Sequence, residues 1–243
     1  MIQEKLQLVH FGNDCASGIL INDILNIKKK QLFQLGFYNF NNILEYLKEN
    51  KYEEIYDKKY LFFNNIKIKK FSNSLKKYKN LSVNESIIHK KYNFEFNHDY
   101  EIKNNEIINY DFIVNVFDEK IKNFKNCLES KNKILFITFT NHDLKILKMI
   151  NLLKKKTNNW FKLVIFTGNK NLNYSTDQIE LIHLNNEYHR SWFLKPMKDR
   201  FILYEEIYNK FYNALINYID LPIFEKTNYY INYKNDISSK NFY

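Results

Sequence analysis

The second half of the chain alternates apolar, β-rich runs with a segment of helical periodicity, and this alternation constrains the fold more than any other feature. The β-rich runs cover residues 133–140, 161–167 and 179–184, and residues 144–154 have helical spacing. Strands that are buried on both faces have such continuous apolar runs, and helices between them favour right-handed crossovers. We predict a three-layer α/β fold of the Rossmann-like type, with a mostly parallel sheet and helices on both faces.

The rest of the chain contains further elements of both kinds. Residues 6–11 predict a short buried strand, and the apolar residues between 19 and 27 predict a helix after it. Other predicted elements are a short helix at 43–47, a strand or hairpin arm at 60–68, a short strand at 93–97, a helix at 113–128 and a long final helix at 201–218. Residues 67–80 are basic and polar and predict an exposed loop.

Length and composition favour one folded domain. Of the 243 residues, 45% are hydrophobic and 17% aromatic, which is enough to fill a core without a disulfide or a metal. We predict a single domain at residues 1–225 and a polar tail at 226–243. Cys15 and Cys127 lie far apart, the first residues do not resemble a signal peptide, and no apolar run reaches about 18 residues. These features predict a soluble, cytoplasmic protein without a membrane span.

The formal charge of +10 permits attraction to nucleic acid, anionic membrane surfaces or phosphorylated substrates. The lysines are spread over the whole chain among many Asn, Ile and Tyr residues, which is typical of an AT-rich genome. We therefore interpret most of this charge as a solvated surface, so a nucleic-acid partner is only weakly supported. The sequence does not indicate an oligomeric state.

Nucleotide, dinucleotide and metal cofactors are not expected. Gly12 stands alone before Cys15, so the glycine patterns of P-loops and dinucleotide-binding loops are absent from the sequence. His183, His189 and the two cysteines lack the spacing of zinc ligands. We predict neither a cofactor nor a metal.

Polar residues follow each predicted strand, at the edge where open parallel sheets bind their ligands. These segments are Gly12-Asn13-Asp14-Cys15, Asn97-His98-Asp99, Asn141-His142-Asp143, Gly168-Asn169-Lys170 and Asn185-Asn186-Glu187. Any loop needs polar residues, but this set includes a thiol and two imidazoles. We predict that the functional site lies at this edge.

Cys15 has the position of a catalytic nucleophile, because the amides at the start of a helix stabilise a thiolate. His98 ends a strand and has Asp99 beside it, so it is our choice of general base, with Asp99 as its orienting carboxylate. The loop amides around Asn13 to Cys15 would serve as an oxyanion hole. In the alternative interpretation, Cys15 is a small packed residue and His98 a polar loop residue.

The remaining candidates would bind substrate, which we expect to be a peptide, acyl or glycan group. They are Gly12, Asn13, Asp14, Asn41, His142, Asn169 and Arg190. His142 is also the second choice of base, and Arg190 suits an anionic or sugar ligand. We interpret His10 and Cys127 as core residues, and His89 and His183 as structural or surface residues.

Four segments of the chain follow one another in the same order as the motifs of a known family. They are Val9-His10-Phe11-Gly12-Asn13-Asp14-Cys15, Phe37-Tyr38-Asn39-Phe40-Asn41-Asn42, Asn97-His98-Asp99-Tyr100 and residues 131–140. Together they resemble a poorly characterised family of papain-like cysteine peptidases, whose motifs are Leu-Gly-x-x-Cys, Tyr-Pro-Phe-Asp-Trp, a His-Asp or His-His pair and Lys-x-x-Leu-Phe. The resemblance spans about two thirds of the chain. It implies that Cys15 is the nucleophile and His98 the base.

The chain departs from this family in its second motif. Asn39-Phe40-Asn41-Asn42 stands where the family has Pro-Phe-Asp-Trp, so the amide of Asn41 replaces a carboxylate. The family label also implies a papain-type division into a helical and a barrel half. The strand and helix alternation predicts a doubly wound sheet instead, and we base the fold prediction on it.

Three functions follow from these residues. The first is a cysteine-dependent hydrolase or acyl transferase with Cys15 as nucleophile, His98 as base, and Asp99 or Asn41 orienting the imidazole. The second is a transferase for a sugar or another small molecule, in which the strand-end residues bind ligand and Cys15 is a spectator. The third is a non-catalytic binding or assembly protein that retains the fold.

Overall fold

A computed structural model describes residues 6–12, 31–33, 38–64, 86–96, 100–103, 106–140, 145–174, 176–185, 206, 209–210 and 213–214. In chain order the elements are β1 (Leu6–His10), α1 (Phe40–Glu49), β2 (Leu61–Asn64), β3 (Ser86–His89), β4 (Phe94–Phe96), β5 (Ile102–Lys103), β6 (Glu106–Ile107), α2 (Tyr110–Glu129), β7 (Lys133–Phe139), α3 (Ile146–Lys156), β8 (Phe161–Thr167) and β9 (Ile179–His183). Two 3-10 helices, Tyr52–Tyr56 and Lys58–Tyr60, connect α1 to β2.

A four-stranded parallel sheet in the order β1-β7-β8-β9 is the centre of the fold. Its registers align Val9 with Phe136 and Phe136 with Leu163, so these three side chains lie on one face. We call this the first face. Adjacent residues such as Ile137 and Val164 lie on the second face, and they too are fully buried. Burial on both faces explains why β7 and β8 are continuous apolar runs in the sequence.

The helices α1, α2 and α3 pack against the first face. Each is amphipathic, and the buried residues of α1, α2 and α3 belong to the same hydrophobic cluster as Phe136 and Leu163. This is the arrangement expected when right-handed crossovers connect strands that follow one another in one direction across a sheet. The mixed α/β class and the parallel sheet are therefore confirmed.

A smaller antiparallel sheet, in the order β2-β3-β4, packs on the same cluster. Its inner side chains include Ile87, Phe94 and Phe96, all almost fully buried, whereas Phe62 on its outer side is 45% exposed. Phe94 contacts the rings of Phe33, Tyr38 and Tyr46. These contacts connect the small sheet to α1 and to the segment beside β1.

His89 at the end of β3 is a structural residue. It is fully buried, its Nε2 donates to the carbonyl of Glu54 over 2.7 Å, and its Nδ1 accepts the backbone N–H of Tyr92 over 3.2 Å. One ring nitrogen thus donates and the other accepts, which fixes a neutral tautomer. Burial lowers the pKa of His89, in agreement with that tautomer.

Most of the elements predicted from the sequence that lie in the described residues are present. β1, α1, α2, β7, α3, β8 and β9 match their predicted positions closely, β2 and β4 fall within theirs, and Cys127 is 5% exposed on the buried side of α2. The predicted helix at 19–27, the loop at 67–80 and most of the final helix lie outside the described residues. In the final segment Glu206 and Lys210 have helical backbone and form an i,i+4 ion pair.

Candidate functional site

Gly12 fixes the path of the chain where β1 ends. Its φ angle is +47°, in the left-handed region that favours glycine. A Cβ atom at this position would lie 2.3 Å from the carbonyl oxygen of Tyr38 and 2.6 Å from the Cβ of Tyr38. Only a residue without a side chain therefore allows the end of β1 to pack against the segment that precedes α1.

The segment that contains Phe33 lies beside β1, on the side away from β7. The N–H of Phe11 donates to Ile137 of β7 over 2.7 Å, and Phe11 also forms a parallel bridge with Phe33. Because the backbone groups of successive residues in a strand point to opposite sides, the bridge to Phe33 uses the side of β1 away from β7. β1 thus has a neighbouring segment on each side where it ends, at the carboxyl edge at which open parallel sheets bind their ligands.

Tyr38 joins three separate parts of the chain at this edge. Besides the backbone of Gly12, it contacts the ring of Phe33 at 5.5 Å and the ring of Phe96 at 5.9 Å between centroids. All four residues are buried. We call Gly12, Phe33, Tyr38 and Phe96 the Tyr38 junction.

Asn41 connects this junction to the loop after β7. Asn39 caps α1 by accepting the N–H of Asn41 over 2.9 Å, and the side-chain oxygen of Asn41 accepts the N–H of Lys145 over 3.1 Å. Lys145 is the residue before α3. The first turn of α1 is therefore in contact with the start of the helix that follows β7.

Asn169 occupies the same edge but a different turn. Its N–H donates to the hydroxyl of Thr167 over 3.0 Å, and its side-chain oxygen accepts the N–H of Asn171 over 2.9 Å. β7 lies between β1 and β8, so Asn169 follows a strand that is roughly 10 Å from β1. Asn169 thus shares the carboxyl edge with Gly12 but lies outside the Tyr38 junction.

The other predicted site residues lie outside the described residues. They are Cys15, His98 and Asp99 of the catalytic set, and Asn13, Asp14, His142 and Arg190 of the substrate-binding set. Their described neighbours in the sequence are Gly12, Phe96, Tyr100, Thr140, Lys145 and Asn185.

His10 lies two residues before Gly12 and is packed, as the sequence analysis predicted. It is 1% exposed, and its backbone N–H donates to the side-chain oxygen of Gln31 over 2.7 Å. Burial lowers the pKa of His10 to about 4, although a hydrogen bond with the backbone of Phe33 opposes this shift. His10 is therefore neutral at physiological pH.

Sequence reasoning missed the importance of Gln31, Phe33 and Tyr38. Gln31 and Phe33 act through single contacts with β1, and no local period in the sequence encodes such contacts. Tyr38 lies in the second motif of the family resemblance, but the sequence analysis assigned a role only to Asn41 of that motif. The aromatic residue of the motif makes the contacts that organise the edge.

Within the described part of the chain, no group of three or more His, Cys, Asp or Glu side chains is arranged to hold a metal ion. None of the helices that the structure describes is long and apolar enough to cross a membrane.

Comparisons with protein-family models, with curated proteins and with solved structures found no match for this chain. The fold and the geometry of the carboxyl edge are therefore the basis of the functional proposal.

Proposed function

We propose that this protein is a cysteine-dependent hydrolase or acyl transferase in which Cys15 is the nucleophile and His98 the general base. The Tyr38 junction is the observation that carries the proposal. Gly12 precedes Cys15 by three residues, Phe96 precedes His98 by two, and both contact Tyr38. A chain spans at most about 3.6 Å per residue, so a few residues cover only a short distance. Cys15 and His98 therefore belong to segments that start at residues in contact with one buried tyrosine.

Two further features support this assignment. β1 belongs to the parallel sheet, and Cys15 follows its carboxyl end in the chain, at the edge where open α/β sheets bind ligands. Phe96 and Tyr100 contact each other at 5.4 Å between ring centroids, so His98 and Asp99 belong to a short connection between two packed residues. Such a connection restricts where an imidazole can lie.

The chemistry follows from the properties of the two groups. His98 takes the proton of the Cys15 thiol, and the sulfur forms a bond to the substrate carbonyl carbon while the π electrons move to the oxygen. The backbone amides near Asn13 and Asp14 stabilise that oxyanion. His98 then protonates the leaving group, and water or another acceptor releases the acyl group from Cys15.

Asp99 is the better candidate to orient the imidazole. The alternative was Asn41, but its side-chain oxygen already accepts the N–H of Lys145. His142 is three residues before Lys145 and remains the second candidate base. Asn169 and Arg190, after β8 and β9, would contact a peptide, acyl or glycan substrate further along the edge.

We also propose the finer architecture for the chain: a single domain at residues 1–225 with a polar tail, three layers and helices on both faces. Leu135, Phe139 and Phe166 on the second face are fully buried, which supports a covering layer there. One hydrophobic cluster contains residues from Val9 to Ile179, which supports a single domain. Thiol chemistry of this kind suits a reducing compartment such as the cytoplasm.

Alkylation of Cys15 tests the proposed function. We expect iodoacetamide to modify Cys15 in the native protein with an apparent pKa below about 7.5, and the His98→Ala change to raise it toward about 8.5, since the imidazolium stabilises the thiolate. The rate is measured between pH 5 and 10 at each cysteine by mass spectrometry. Buried Cys127 is the internal control that reports unfolding, and Asn169→Ala is the matched variant at the same edge.

A titration of Cys15 near pH 8.5 that ignores the His98 change would contradict the proposal. That result would favour the small-molecule transferase or the non-catalytic binding protein, in which Cys15 is a spectator. A response to His142→Ala in place of His98→Ala would retain the nucleophile and reassign the base.

A further inference from the structure

Trp160 is an exposed aromatic residue in a basic part of the surface, at the end of the sheet opposite the candidate active site. It directly precedes β8, its carbonyl accepts the N–H of Ile134 over 3.0 Å, and its side chain is 40% exposed. The ammonium of Lys133, at the start of β7, lies 5.8 Å from the centre of the indole ring. The backbone thus holds an accessible indole in a fixed place beside a cation.

Besides Lys133, further lysines lie near Trp160 in the chain or at the same end of the sheet. Lys133 is the first residue of β7 and Lys131 precedes it by two residues, and Lys154 and Lys155 lie in the last turn of α3, six and five residues before Trp160. Helix α3 contains four lysines and no acidic residue. We call Lys131, Lys133, Lys154, Lys155 and Trp160 the basic indole surface.

The other charged residues at this end leave the surface positive. Lys156 does not belong to it, because its ammonium bonds to Asn50 and to the hydroxyl of Tyr52. Lys162 is paired with Glu180 over 3.5 Å. Glu129, the last residue of α2, and Asp177, before β9, are acidic residues at this end of the sheet.

A purely structural role explains two of the lysines of this surface but not its exposed indole. Lysines in the last turn of a helix stabilise its dipole, which accounts for Lys154 and Lys155. It does not account for an indole that is 40% exposed beside the ammonium of Lys133. Aromatic side chains beside lysines are the combination with which proteins bind single-stranded nucleic acid: the bases stack on the ring and the cations contact the phosphates.

We propose that the basic indole surface binds single-stranded nucleic acid, with one base stacked on Trp160 and the phosphates on either side of it paired with the lysines. The net charge of +10 provides the long-range attraction that such binding requires. This surface lies at the amino ends of the strands, whereas Cys15 follows a carboxyl end. The proposal is therefore independent of the proposed catalysis.

Binding of a fluorescein-labelled oligothymidylate of about 12 nucleotides to the full chain tests the proposal. We expect Trp160→Ala to weaken binding roughly 5- to 150-fold through the loss of one stacked base, and Trp160→Phe to restore most of it. Phe62→Ala is the matched control, because Phe62 is also exposed and has the ammonium of Lys90 at 4.9 Å from its ring, but it lies on the small antiparallel sheet.

The lysines are tested by salt dependence. Lys154→Gln combined with Lys155→Gln should reduce the slope of log affinity against log salt by about 1.4, since each phosphate contact with a single strand contributes about 0.7. The matched pair Lys58→Gln and Lys59→Gln, on a 3-10 helix far from Trp160 in the chain, should leave the slope unchanged if the contact is specific.

The two sets of variants give separate outcomes. Equal affinity of wild type and Trp160→Ala, or equal binding of the single strand and a duplex of the same length, would overturn the proposal, because stacking would then contribute nothing. Preferential binding to vesicles that contain phosphatidylserine would overturn it too. Circular dichroism of each variant confirms that the fold is intact.

Discussion

Replacing Gly12 with alanine should lower the free energy of unfolding by about 2–5 kcal/mol, the sum of a left-handed backbone and an overpacked contact. The new Cβ would meet the carbonyl oxygen of Tyr38 at 2.3 Å, far inside the closest normal contact. Neither atom is the end of a flexible side chain, so relief requires movement of β1 or of the segment before α1. Urea denaturation followed by circular dichroism measures the change.

Gly168→Ala is the matched control for Gly12→Ala. Gly168 follows β8 at the same edge, and it is not among the described residues with a positive φ angle. We expect its change to cost much less. Equal effects of the two substitutions would show that the close approach of Gly12 to Tyr38 does not contribute to stability.

Acidification from pH 7.5 to pH 5 should cost the protein about 2 kcal/mol of unfolding free energy through His10 alone. The pKa of His10 falls from its ordinary value of 6.5 to about 4 in the folded state. Below pH 6.5 the unfolded chain binds a proton that the folded chain does not accept, so stability is complete above this pH and declines as the pH falls. The loss would reach about 3 kcal/mol near pH 4.

Guanidinium chloride unfolding of wild type and His10→Gln at three pH values within this range measures the effect. In the variant, the slope of the unfolding free energy against pH should be smaller by the amount that corresponds to about one bound proton. Burial also lowers the pKa of His89, so His89 contributes to the dependence that is left. The pKa of Glu45 is lowered by Lys48, and that of Glu53 by a backbone hydrogen bond and by Lys125, so these carboxylates lose their contribution at more acidic pH than His10 does. An unchanged pH dependence in His10→Gln would contradict the assignment.

The parallel sheet was predictable because its strands are buried on both faces. β7 and β8 are continuous apolar runs bounded by polar residues, and their predicted limits differ from the structure by at most one residue. α2 was predictable for a related reason, since its apolar stripe with Cys127 beside it lies on one face. A local sequence pattern is enough to predict a strand or helix whose buried residues recur at regular intervals.

The junction at the carboxyl edge was not predictable in this way. The contact of Gly12 with Tyr38 and the bridge of Phe11 to Phe33 join residues distant in sequence, and no local period encodes them. β3, Ser86–His89, was missed because it lies in a polar stretch, and the burial of Ile87 and His89 comes from the packing of the small sheet on the common core. The strand-end rule did place Gly12 and Asn169 at one edge, since they follow the parallel strands β1 and β8.

The central claim is that the segments that carry Cys15 and His98 meet at the Tyr38 junction. A bifunctional methanethiosulfonate reagent with a two-carbon spacer tests it directly, applied to the H98C variant and, as matched control, to E95C on the preceding strand. Both thiols must first react with a monofunctional reagent, so that access is established. We expect Cys15 to be cross-linked rapidly to the introduced thiol in H98C and only slightly in E95C. Accessible thiols that fail to cross-link in H98C would contradict the claim.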